Sequence, residues 1–115
     1  MAQITPVLVT NQGVAVTPVA VAAGGDKFKN TGKQYCRIRN SSGANAYTVT
    51  FATAGTIKGI AIADVAVSVS AGVGQVRDIG PFDEGIFNDS NGDVAVTYSG
   101  AAPATDLTID VIQVP

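Results

Sequence analysis

No histidine and no tryptophan occur in these 115 residues, and there is one cysteine, Cys36, and one glutamate, Glu84. A serine or cysteine nucleophile would lack the histidine base of the usual triads. A structural zinc site would lack its ligands. Cys36 has no partner for an internal disulfide, so stability must come from packing and a reducing cytoplasm is the expected folding compartment. Only a disulfide between subunits stays open. Long apolar runs are missing as well. Met1 to Ile4 carries no positive charge, and Pro6, Asn11, Gln12 and Pro18 interrupt the apolar runs after it, so neither a secretory signal nor a membrane span is read. A basic excess is also absent. Seven Lys and Arg against nine acids leave a net charge of −2, which argues against direct nucleic-acid binding. The thirteen glycines are scattered over turns and form no phosphate-cradling loop. No enzymatic activity, cofactor or membrane partner is expected.

What the chain does have is β-branched residues: sixteen Val and nine Ile against two Leu, with eleven Thr. These fit a pleated surface and resist helix. They recur with period two. Tyr47, Val49 and Phe51 share one face of a run, and Val65, Val67 and Val69, Val94, Val96 and Tyr98, and Leu107, Ile109 and Val111 repeat the pattern of half-buried strands. About eight strands at roughly ten-residue spacing predict an all-β protein with almost no helix: an antiparallel β-sandwich or β-barrel-like domain, a jelly-roll type among the possibilities. Strand order is not derivable. One domain is all this length allows.

Residues 1–25 contain no charge and form an extended N-terminal arm or a pair of edge strands, because Pro6 and Pro18 are admitted only at edges, strand starts and bulges. Gly24-Gly25 reads as a hinge to the domain of residues 26–115. In Gln34 to Asn40, Cys36 and Ile38 should be buried and Tyr35, Arg37 and Arg39 should face the other way. Ile57 to Ile62 reads as a strand with a bulge or a close backbone contact at Gly59. Ala71-Gly72 between Val65–Ser70 and Gly74–Ile79 reads as a hairpin, and Gly80 to Asn88 as a loop.

Charge divides along the chain. Residues 1–57 hold five bases and one acid, and residues 58–115 two bases and eight acids. Either the halves interleave and compensate, or the folded surface carries opposite poles that steer docking. Asp89-Ser90-Asn91-Gly92-Asp93 resembles the opening of a calcium loop. However, Val94 stands at the obligate glycine and Gly100 at the bidentate acid, so a hairpin turn explains it. Asp83-Glu84 is the densest acidic pair, but neighbours in an extended segment point apart, which disfavours glycoside hydrolysis. Phe82 and Phe87 are large for a loop and either plug one end of the sandwich or contact a partner.

Asn30-Thr31-Gly32-Lys33, a strand ending in Asn40, Ala46-Tyr47-Thr48-Val49-Thr50, then Ala63-Asp64, the Val65 to Val69 strand, Ala71-Gly72, Gly80-Pro81-Phe82 and Phe87-Asn88-Asp89 together resemble small bacteriophage head decoration proteins, the capsid cement or auxiliary class. The likeness runs from about Ala20 to Val114 and rests on strand and turn signals. It implies a β-sandwich or barrel on the capsid surface of the virion, made in the host cytoplasm, that clamps neighbouring copies of the major capsid protein as a dimer or trimer. The residues expected to contact capsid or subunit are Ile4, Val7, Val9, Val14 and Val16 of the uncharged segment, Arg37 and Arg39, and Phe82 and Phe87. The competing expectation is a receptor- or glycan-binding module of a phage tail or fibre, against which the absence of tryptophan weighs.

Overall fold

A computed structural model describes residues 1–115. Its strands are β1 (Ala2–Ile4), β2 (Val7–Leu8), β3 (Val19–Ala20), β4 (Asp26–Lys29), β5 (Gln34–Asn40), β6 (Tyr47–Phe51), β7 (Thr56–Ile57), β8 (Ile60–Ala61), β9 (Val65–Val69), β10 (Gln75–Ile79), β11 (Asp93–Ser99) and β12 (Leu107–Gln113). Two single-turn helices, α1 (Glu84–Phe87) and α2 (Pro103–Asp106), complete the fold. The first sheet runs β1-β4-β11-β6-β9. The second runs β10-β5-β12-β2, with β3 also on β12.

Alternation decides which side chains enter the core. On β5, Gln34, Cys36, Ile38 and Asn40 are buried, while Arg39 is exposed and Tyr35 and Arg37 half-buried. Tyr47, Val49 and Phe51 of β6 point inward from the first sheet, and Leu107, Ile109 and Val111 of β12 from the second. With Phe28, Val94 and Val96 they form one continuous cluster between the sheets. Each such side chain contributes about 1.5–3 kcal/mol on burial. The protein is all-β and sandwich-like, as its periodicity implies.

Four local expectations change. Ala71-Gly72 is not a hairpin: β9 lies in the first sheet and β10 in the second. Gly72 and Gly74 both have positive φ, on either side of Val73, and the Gly72 N–H donates to the Ser42 carbonyl at 2.8 Å. That arrangement makes an arch between sheets rather than a two-residue turn. Gly59 is not a bulge. Lys58 (φ 51°) and Gly59 (φ 79°) are the two central residues of the tight β7–β8 hairpin, where both must adopt positive φ. The segment 80–88 contains α1, capped by the Asp83 carboxylate, which accepts the Gly85 N–H at 2.8 Å. The pairing is also not wholly antiparallel, since β1 runs parallel to β4 and β2 parallel to β12.

Both parallel pairs come from the uncharged N-terminal segment, which is not a free arm. β1 borders the first sheet, the chain crosses at Thr5-Pro6, and β2 and β3 border the second. Ile4 and Val21 belong to the core cluster. The strands β9 and β10 stand at the opposite edges of their sheets.

Candidate interaction surfaces

The segment Gly80 to Asn88 closes one end of the sandwich. Asn30 Nδ2 donates to the Phe82 carbonyl (3.0 Å) and to Asn88 Oδ1 (2.7 Å), and Asn88 Nδ2 donates back to the Asn30 carbonyl (2.9 Å). This clasp seats the Phe82 ring 4.9 Å from Phe51, 5.6 Å from Phe28 and 5.2 Å from Phe87, centroid to centroid. Phe82 is buried and Phe87 half-buried against the core. Of the two roles open to this pair, the structure gives them the plug.

The outward face of the second sheet carries a charged row in register: Asp78 on β10, Arg37 on β5, Asp110 on β12. Arg37 is committed to Asp78, with Nε to Oδ1 at 2.8 Å and Nη2 to Oδ2 at 3.4 Å, and this pairing raises its affinity for its proton. Arg39 stays exposed. Asp110 is buried, and its Oδ1 has no hydrogen-bond partner. Burial raises its pKa, and the opposing pull of Arg39 and Arg37 does not cancel that effect. Its cover is the N-terminal segment. Ile4, Val7, Val16 and Thr17 line, together with Asp110, a cavity of about 30 Å³. Ile4, Val7 and Val16 thus converge on one place, with Val9 half-buried nearby through its N–H bond to the Gln113 carbonyl (2.9 Å). Val14 is exposed.

The two ion pairs, Arg37 with Asp78 and Lys29 with Asp93, each join a base of the first half to an acid of the second. Compensation rather than opposite poles describes these contacts. The Lys29 ammonium also donates to the Asn91 carbonyl at 2.6 Å, which ties β4 to the Asp89–Asp93 turn. Asp89 Oδ1 accepts the Asn91 and Asp93 N–H groups (2.8 and 3.0 Å), which lowers its pKa. Two tyrosine–carboxylate bonds fasten connections to strands. Tyr98 Oη donates to Asp26 Oδ2 (2.7 Å), which also accepts the Ala22 N–H, and Tyr47 Oη donates to Asp106 of α2. Burial pushes the Cys36 thiol well above its usual range, so it is an inert core group.

Four features remain open to solvent. One is an open cleft of about 460 Å³ lined by Gly32, Pro81, Phe82, Asp83 and Glu84. A cleft of about 320 Å³ lies between Lys33-Gln34-Tyr35 and Ile79-Gly80-Pro81. The one carboxylate in its lining, Asp78, is engaged by Arg37. The N-terminal rim exposes Leu8 (48%), Val14 and Val19 (51%) with no charge among residues 1–25. The β9 rim exposes Val65 and is flanked by exposed Ile57, Ile60 and Val73. Sequence pattern does not single out Leu8, Val19 or the residues of the β9 rim. Alternation assigns a side chain to a face but does not say how far the opposite sheet covers that face. No helix is long and apolar enough to cross a membrane. No protein-family model, curated protein or solved structure matches this chain.

Proposed function

We propose that the protein is a structural component of a phage virion, a head decoration or cement protein that binds the major capsid protein, stabilises the expanded shell and associates with copies of itself. The observation that carries this reading is the N-terminal rim. Twenty-five residues without a charge border both sheets, are anchored through Ile4 and Val21, and still present Leu8, Val14 and Val19 to solvent. A rim of this kind suits strand addition to a neighbour's sheet edge, where main-chain bonds supply affinity and apolar side chains register. Repetition over a symmetric lattice then turns weak contacts into avidity. The likeness to head decoration proteins supports the same reading. Co-sedimentation with expanded capsids of the same source tests it. Wild-type protein should pellet with the shell, and Leu8→Asp with Val19→Asp should abolish pelleting while leaving the fold intact. Protein that binds no form of the shell refutes the reading.

The cleft beside Tyr35 favours a second reading, a glycan- or receptor-binding module, since its volume falls at the lower end of ligand sites. Binding on a glycan array that is lost in Tyr35→Ala would select it over the first.

A further inference from the structure

The rims of the two sheets are not equally protected. β10 carries Arg77 and Asp78 within its five residues, and β1, β2 and β3 are only two or three residues long. β9 ends the first sheet with Val-Ala-Val-Ser-Val, five residues without charge, proline or glycine, and no ionisable side chain occurs from Val65 to Val76. Proteins normally blunt such an edge. Along its inward face, Val69 is fully buried, Val67 half-buried and Val65 exposed, so the apolar inner surface of the first sheet runs out past its cover. The exposed apolar groups beside it lie at opposite ends. Ile57 and Ile60 (72% exposed) sit on the hairpin before the strand, and Val73 (82%) in the arch after it.

We propose that this rim is a self-association surface: β9 pairs antiparallel with β9 of a second copy about a two-fold axis at Val67. In that register Val65 faces Val69 of the other copy, Ala66 faces Ser68, and Val67 faces its own counterpart, giving cross-strand valine pairs on the inner face. Antiparallel pairing sets the end of β9 that carries the arch in one copy against the end that carries the hairpin in the other, which brings Val73 toward Ile60. One symmetry operation therefore covers the apolar groups at both ends, twice, as an isologous interface requires. Asp64 falls opposite Ser70, so the strand register sets no like charges against each other. β9 itself runs for roughly 17 Å at about 3.3 Å per residue. The molecule is 20 Å deep in its shortest dimension. The strand alone falls short of the roughly 800 Å² per partner of a stable dimer, so the apolar groups of the hairpin and the arch supply the remainder of the contact. It lies on the opposite side of the sandwich from the N-terminal rim, so a dimer leaves that rim free. The inference deepens the self-association proposed above and rests on that reading only for its setting, because it is measured without capsids.

Sedimentation equilibrium of the purified chain from low to high micromolar concentration tests it, with Ile60→Lys and Val73→Glu as variants. Both positions are exposed, so circular dichroism and thermal melts should match wild type. Wild type should form a dimer, and each variant should weaken association at least about tenfold. Mixing the two variants should yield heterodimers, because one contact then sets the new lysine against the new glutamate and the other keeps the native Ile60 and Val73. A wild-type chain that stays monomeric, a dimer indifferent to both substitutions, or a mixture that recovers nothing each overturns the proposal. None of these outcomes bears on capsid co-sedimentation, whose failure would be separate.

Discussion

Phe82→Ala measures how far a nine-residue connection contributes to the core. The Phe82 ring meets Phe28, Phe51 and Phe87 at centroid distances of 4.9–5.6 Å. Truncating a fully buried phenylalanine costs about 3–5 kcal/mol, with the larger values where the surroundings cannot relax into the void. Relaxation is opposed here, because the Asn30 bond to the Phe82 carbonyl and the Asn30–Asn88 pair do not involve the ring and survive its loss. The loss should therefore fall near the top of the range, against a total stability of about 5–15 kcal/mol. In thermal melts that is a fall of roughly 16–20 °C, and in urea an earlier midpoint with an unchanged slope. Phe87→Ala, at a half-buried position, should lose about half as much. If Phe82→Ala costs less than about 1.5 kcal/mol, or less than Phe87→Ala, the plug is not part of the core and the reasoning fails.

Deleting residues 2–25 removes three strands together with Ile4 and Val21 and uncovers Asp110. The truncated chain should lose its folded signature by circular dichroism and amide dispersion, and a folded truncation would make the segment dispensable. Asp110 gives a pH dependence of defined sign. Its pKa is higher in the folded than in the unfolded chain, so ionisation opposes folding. The penalty is absent below about pH 4, grows as pH rises toward the folded pKa, and is constant above it. Asp110→Asn should therefore be more stable than wild type at neutral pH and lose that advantage in acid. A less stable variant at neutral pH in urea titrations would show instead that Arg37 and Arg39 hold the charge favourably.

Alternation carries most of the legible fold. In β5 the order of Gln34 to Asn40 sorts buried from exposed residues, because period two is a property of the local backbone and any sheet imposes it. Partner choice is not local, which is why Val65–Ser70 and Gly74–Ile79 look like a hairpin yet enter different sheets. The turn residues report only that the chain reverses direction. Gly59 shows the same limit at shorter range, since a bulge and a two-residue turn both call for positive φ. Phe82 is legible as an alternative but not as a decision, because the Asn30–Asn88 clasp that settles it joins residues far apart in sequence. The surfaces are the least legible. Val65 and Val69 belong to one alternating series, and only the packed sheets distinguish the one left uncovered.

The parallel alignment of β2 with β12 has a mechanical consequence. Two neighbouring parallel strands lead their chain ends out at opposite ends of the sheet. Tension applied between residues before Val7 and after Gln113 is therefore directed along the strands and loads their hydrogen bonds in shear, all together. An antiparallel pair held at adjacent ends would instead unzip one bond at a time. Because the Val9 N–H also holds the Gln113 carbonyl at 2.9 Å, and β12 is bound along its whole length to β5 on the other side, a pull on the two ends meets the second sheet as a unit. The rate of forced unfolding would then be set by the simultaneous rupture of that patch, a barrier that equilibrium stability does not measure.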